Sequence, residues 1–346
     1  MFLFRKKRTE EKALSLSALT WKRFKKEKTG MISLIFLCLI FVMAILGYLI
    51  TPDKTPFCND QNLEIALQSP GFSVNFLNTP KEPPVKKVGF FHKILFGQPA
   101  LYNSVPVIEN NEKIGALRAT PQPKKFWLGT DRYGRDVLSQ LMLGARISLS
   151  VGFIAVFIAL IIGVLVGAVA GFYGGKIDAA LTWLINVVWS IPTLLLVIAI
   201  SFALGKGFWQ IFVAIGLTMW VDIARVVRGQ TLALKQQDFV EAGRALGFSN
   251  FRIIFKHILP NIFGTLVVLS AANFSSAILM EAGLSFLGMG VQPPIPSWGM
   301  MMKENYAYIV LDKAYLSLAP GIAMMLLVLA FMLMGSALRN AMEVRK

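Results

Sequence analysis

Two histidines, His92 and His257, and two cysteines, Cys38 and Cys58, are the side chains here that could bind a metal or act as soft nucleophiles. The histidines are far apart, no H-E-x-x-H is present, and neither cysteine has metal-ligand spacing. Cys38 lies inside an apolar run and Cys58 just beyond it, so the two are badly placed to pair. A phosphate cradle needs G-x-x-x-x-G-K-[ST], but Gly175-Lys176 is followed by Ile177 and lacks the earlier glycine. No G-x-S-x-G marks an activated serine. No catalytic residue, cofactor or metal is therefore expected, and energy for any work must come from another subunit.

The spacing that does carry information lies at 238–261, DFVEAGRALGFSNFRIIFKHILPN. Phe239, Ala242, Gly243 and Leu246 fall at i, i+3, i+4 and i+7, and Phe251, Ile254, Phe255 and Ile258 repeat the pattern, which predicts two short helices. Gly247 stands where a helix C′ position wants positive φ, with Phe248 as the accompanying apolar contact. Ser249 or Asn250 can cap the second helix, and Pro260 suits the first turn of a following span. The small step Ala242-Gly243, flanked by Phe239 and Leu246 with Glu241 and Arg244 beside it, makes a notch that a partner could enter closely. A partly apolar helix pair in water is expensive to leave undocked.

Glu241-Ala242-Gly243, three residues, Gly247, nine residues, then His257-Ile258-Leu259-Pro260 resembles the EAA motif of permease subunits of ATP-binding-cassette importers. Gly243 replaces the second alanine of that motif and His257 an aliphatic residue. Two further stretches are similar to the C class of the di- and oligopeptide branch: the GTDRYGRD of 129–136, and LSFLGMG at 284–290 followed by PPIPSWG at 293–299. The resemblance implies an all-α membrane protein of six transmembrane helices, a type I ABC importer (MetI-like) core of five plus one N-terminal helix. In such a protein Asp238, Glu241, Ala242, Gly243, Gly247, His257 and Pro260 belong to the loop that couples to the ATPase. The implied partners are a second, homologous permease chain, two ATP-binding-cassette ATPase subunits and an extracytoplasmic substrate-binding protein, and the chain itself would be no enzyme. Nickel or another small solute, carried by the same machinery, is the alternative cargo. A secondary carrier working alone is the rival mechanism.

Composition fits a membrane chain: 55% of residues are hydrophobic and only 16% charged, with a mean hydropathy of +0.60. The net charge of +16 could suggest nucleic acid, but its placement beside apolar runs points to lipid headgroups. Six windows are long enough to cross a bilayer: 31–50, 147–170, 181–204, 208–224, 262–279 and 318–338. Lysines and arginines crowd residues 1–30, recur through the loop at 225–261, and close the chain at 341–346. By the positive-inside rule that puts both termini and the loop in the cytosol, and the resemblance implies that the membrane is a bacterial inner membrane. Residues 1–30 form a basic arm, with an amphipathic piece at 14–24 that adheres to anionic lipid.

The remaining expectations concern packing and shape. The segment 51–125 reads as an irregular external insertion, with short strands around 85–91 and 105–108, serving as a lip for a binding protein or as plain solvated chain. Residues 126–340 form the permease core, beginning with an elbow at 127–152 along the outer surface. Gly163, Gly167 and Gly171 make a flat stripe for a close helix, and Pro192 should bend its span. Glu281 and Trp298 are the candidate pathway or gate residues, in a bent segment broken by Gly288, Gly290 and Pro293-Pro294. The spans hold almost no charge, with Asp222 near one end, which disfavours an ion-coupled carrier.

Overall fold

The computed structural model describes residues 16–80, 88–107, 122–205 and 207–342. Most of the basic arm's first half, two parts of the 51–125 insertion and most of the 341–346 tail thus lie outside the described residues. Helix α1 (Leu16–Phe24) turns directly into the first long apolar helix, α2 (Lys28–Ile50). Phe24 is buried at that corner against Gly30, Ala337 and Ala341.

The insertion is more ordered than its composition suggests. Strands β1 (Phe72–Pro80), β2 (Tyr102–Val107) and β3 (Gln122–Phe126) form an antiparallel sheet in the order β2-β1-β3. Phe76 and Phe126 bury beneath it with Ile65, a small core of their own. The strand expected at 105–108 is β2, shifted by a few residues. The one expected at 85–91 is not found where it can be seen, because Phe90 and Phe91 open a helix, α3 (Phe90–Phe96). Long-range pairing chose the strands here, and single-segment propensity does not report it.

The core begins at α4 (Val137–Tyr173), a helix of 37 residues, whose N-cap Asp136 accepts from the Ser139 N–H. At about 1.5 Å per residue it is some 55 Å long. No proline interrupts it, so the expected elbow at 127–152 is instead a turn followed by the start of this rod. Then come α5 (Gly175–Ser190) and α6 (Thr193–Leu204), which meet at 94°. Pro192 cannot supply the N–H that would continue α5, and the window 181–204 breaks there. After it run α7 (Phe208–Leu234), α8 (Asp238–Ala245), α9 (Asn250–Ile253), α10 (Leu259–Phe286), α11 (Trp298–Asn305) and α12 (Tyr315–Met342). Among the described residues five helices are long and apolar enough to cross a membrane, and the bent pair α5–α6 makes a sixth if it counts as one span.

The glycine stripe of α4 receives α7. A Cβ at Gly163 would lie 2.7 Å from the Trp220 carbonyl oxygen, one at Gly171 2.7 Å from that of Arg228, and one at Gly167 would press on that of Ala224. Backbones this close replace side-chain interdigitation with broad van der Waals contact. Around the seam Val151, Ala155, Phe212, Ile215, Ile223, Ile258 and Ile262 form the main core. A second cluster joins α2 and α12 to the start of α4, with Trp298, Leu316 and Leu327 at its centre. The sheet, the α4 N-terminus, α11 and Glu281 thereby gather at one end of the bundle, while α1, α8 and α9 gather at the opposite end.

Candidate docking surface and polar cavity

Helix α8 ends in a tight cap. The Phe248 N–H donates to the Gly243 carbonyl at 3.0 Å and the Gly247 N–H to that of Arg244 at 2.9 Å, the two bonds of a Schellman motif. Gly247 takes φ +76° to make them, a conformation nearly free of cost only without a Cβ. Ser249, not Asn250, caps the next helix, accepting from the Arg252 N–H. Phe248 folds back so that a Cβ on Gly243 would lie 3.4 Å from its ring. His257 stacks on the same ring at 5.6 Å, and the Arg252 guanidinium stands 3.9 Å from its centroid.

The helix pair splits its apolar residues between two faces. Val240, Gly243, Ile253, Ile254 and Ile258 turn inward and are buried. Phe239, Ala242, Leu246, Phe251 and Phe255 stay on the surface, with Leu246 72% and Phe251 69% exposed. The Phe251 and Phe255 rings lie 4.3 Å apart, and Asp238, Glu241 and Arg244 are exposed beside them. An uncovered aromatic patch rimmed by charges is what a protein docking site looks like. Pro260 stands in the first turn of the next span, as expected, but no break precedes it. α9 passes through a π turn, Ile254–Ile258, straight into α10, so residues 250–286 form one helix. The Leu259 N–H reaches back to the Ile254 carbonyl, and that wider turn accommodates Pro260 at the head of α10.

A second feature was not legible as a site. Where α5 and α6 break, they enclose with α7 and α10 a cavity of about 410 Å³, lined by Trp189, Ser190, Thr218, Asp222, Asn273 and Ser276 among others. With Thr193 and Leu196 of α6 the lining draws on four helices, and the sequence hinted at it only through Pro192 and isolated polar residues within apolar windows. Below the cavity Arg225 lies 3.9 Å from the Trp189 ring centroid and donates to Asn186. Arg228 pairs with Asp178, its Nη2 2.7 Å from Oδ2, tying α7 to α5.

Glu281 and Trp298 both lie in the interior. Both are buried. Ser285 Oγ donates to Glu281 Oε1 at 2.7 Å, and Ser297 Oγ lies 3.4 Å from Ser285 Oγ. Trp298 Nε1 donates to the Leu141 carbonyl at 2.8 Å, its ring pressed on Gly144. Neither side chain lines the polar cavity. The neighbouring GTDRYGRD stretch forms a clamp. Asp131 accepts from the backbone N–H groups of Tyr133 and Arg135, both at 2.9 Å, and from Arg135 Nε at 2.7 Å. Arg135 Nη2 lies 2.7 Å from Glu304 of α11. Thr130 accepts from the Gln68 N–H at 2.9 Å, binding the insertion to the same knot. Burial raises the Asp136 carboxyl above its ordinary range, although it caps α4.

A bundle of apolar helices, a polar cavity at a broken span and an exposed helix pair define a subunit of a membrane transport assembly. The chain belongs to the family of binding-protein-dependent transport system inner membrane components, whose model matches residues 163–344. Residues 15–70 match the N-terminal transmembrane domain of oligopeptide transport permease C. The chain is 40% identical over 219 residues to the glutathione transport system permease protein GsiD of Escherichia coli, covering 63% of this chain and 72% of that protein. It is 32% identical to the dipeptide transport system permease protein DppC of Bacillus subtilis, covering 96% and 86%. In fold it is similar to a chain of the inward-facing MetNI methionine ABC transporter, with a TM-score of 0.50 at 20% identity over 60% of this chain and 98% of that one. It is thus a multi-pass permease of an ABC importer, with the helical architecture its motifs imply.

Proposed function

We propose that the chain is one of two permease halves of an ATP-driven importer of di- or oligopeptides in a bacterial inner membrane, with both termini in the cytosol. The observation that carries this is the exposed face of Phe239, Ala242, Leu246, Phe251 and Phe255, held by a capped helix fused to a long span. It supports docking of an ATPase subunit, with Glu241 and Arg244 setting orientation and Gly247, His257 and Pro260 fixing the frame. Relatives named for dipeptide and glutathione transport favour a peptide cargo over nickel. The cavity at Asp222, Asn273 and Ser276 is this chain's half of the path, closed by the second permease. The sheet end, with its 129–136 clamp, meets the substrate-binding protein. Glu281 and Trp298 stand behind the path at that end, a gate residue pair by position and not by contact with cargo.

The test replaces Ala242 and, separately, Phe251 with cysteine in the assembled transporter and probes disulfide formation with cysteines on the ATPase. Crosslinks at both positions, together with dipeptide uptake lost in Glu241→Arg while the protein still inserts, are the expected result. Uptake that persists without any ATPase and collapses with an uncoupler would instead identify a stand-alone carrier.

A further inference from the structure

Between them, α2, α4, α10 and α12 leave a groove of about 710 Å³, distinct from the polar cavity. Its wall is apolar, with Phe41, Ile45, Phe153, Phe274 and Phe331 prominent, and Arg146 and Ser150 alone bring side-chain nitrogen or oxygen to it. The Ser150 hydroxyl is spent on the Arg146 carbonyl, 2.8 Å away. Arg146 Nη1 donates to the Ile94 carbonyl of α3 at 3.2 Å, and the guanidinium sits 5.8 Å from the Tyr48 ring. No carboxylate of the described residues pairs with it. This half-buried cation has a carbonyl and a ring face beside it but no counter-ion, so it can pair with an anion from outside the chain.

Helix α3 says where that anion is. It packs on the end of α2, and Leu95 reaches the groove. Phe90, Phe91 and Phe96 point away from the protein, Phe91 79% exposed. Aromatic residues with no protein cover, level with the last turn of a spanning helix, belong in the headgroup zone of a bilayer. Arg146 is then at the depth of lipid phosphates, with an apolar slot directly beneath it. The volume falls within the roughly 300–1,000 Å³ of ligand-holding clefts.

We propose that this groove is a phospholipid site: one acyl chain lies between α2 and α4, the headgroup phosphate pairs with Arg146, and α3 covers the lipid at the interface. The site rests on the membrane placement of the helices and is independent of the cargo.

The whole transporter is reconstituted in phosphatidylethanolamine vesicles containing phosphatidylglycerol with a diazirine in its acyl chain, irradiated and digested. Label should concentrate on the peptides holding Phe41 and Phe153 relative to the outward face of α12 around Met325. Arg146→Gln should lower that enrichment by about fivefold, the worth of one interfacial cation, and Arg146→Lys should keep most of it. Cys38→Trp narrows the slot without touching the charge and should abolish enrichment, which decides the matter even where Arg146→Gln folds poorly. Equal labelling of groove and outward faces overturns the site. So does suppression by excess inorganic phosphate, which would mark a free-anion site, or a photocrosslinker at Phe41 that captures the second permease.

Discussion

Gly243 shows how much a single missing methyl group can be read for. The family motif carries alanine there, and the chain has room for it, since the added Cβ would touch Phe248 at an ordinary contact distance of 3.4 Å. Gly243→Ala should therefore fold and transport normally, and stabilise α8 by up to about 1 kcal/mol through helix propensity. Gly243→Leu should displace Phe248 and abolish coupled uptake; the pair is compared by dipeptide uptake and by melting of the complex. The spacing was enough to place this capped helix turn, because Gly247 and Ser249 act locally. The clamp at Asp131 was not readable as such: its turns were visible, but Glu304 lies 169 residues from Arg135. Arg135→Ala should leave Asp131 without its cation and Glu304 with only Arg132, 3.4 Å away, and cost about 3–5 kcal/mol, as expected for a broken buried pair, seen as a lower melting temperature and faster proteolysis of the sheet. Cys58 offers a simpler check. Burial, then the Asp53 carboxylate, push its thiol well above the ordinary range, so a maleimide near neutral pH should spare it until the protein is denatured.

At the scale of elements, periodicity and punctuation located nearly every helix. The stripe Gly163-Gly167-Gly171 predicted a close neighbour without saying which, and α7 takes the place. Gly167→Ala should force those backbones apart and remove most folded protein from the membrane. Gly229→Ala, on the open face of α7 where a Cβ meets nothing within 4 Å, should be neutral or stabilising by up to about 1 kcal/mol. Fluorescence-detected size exclusion separates the two outcomes. Proline gave mixed signals. Pro192 broke its span as its chemistry demands, and Pro260 sits in the first turn of its span as expected, but it marks no helix end, because the π turn at Ile254–Ile258 moved the hydrogen-bond register around it. A wide turn has no sequence signature of its own, so the join between the second loop helix and its span was invisible beforehand.

For the whole molecule, the surface says that the chain is a fraction of something. The α5–α6 pair buries only Ile185 and Val197, while Trp183, Trp189, Leu195 and Phe202 face outward. Co-expression with the second permease should raise the yield of monodisperse protein several-fold over this chain alone, by about the cost of leaving such a patch uncovered. Equal yields would mean lipid is its natural cover. Apolar windows located the long membrane helices, but the insertion's sheet depended on pairings between distant segments and escaped. One feature of this architecture constrains motion most. The helix over 250–286 is unbroken for 37 residues, about 55 Å at 1.5 Å per residue, with Phe251 at its foot and Glu281 near its head. A push on the foot has no slack to disappear into except the loosened coil around Ile254–Ile258. The proposed docking foot and the proposed gate at Glu281 would therefore be mounted on one axle, and the two doors of such a passage could not keep separate hours.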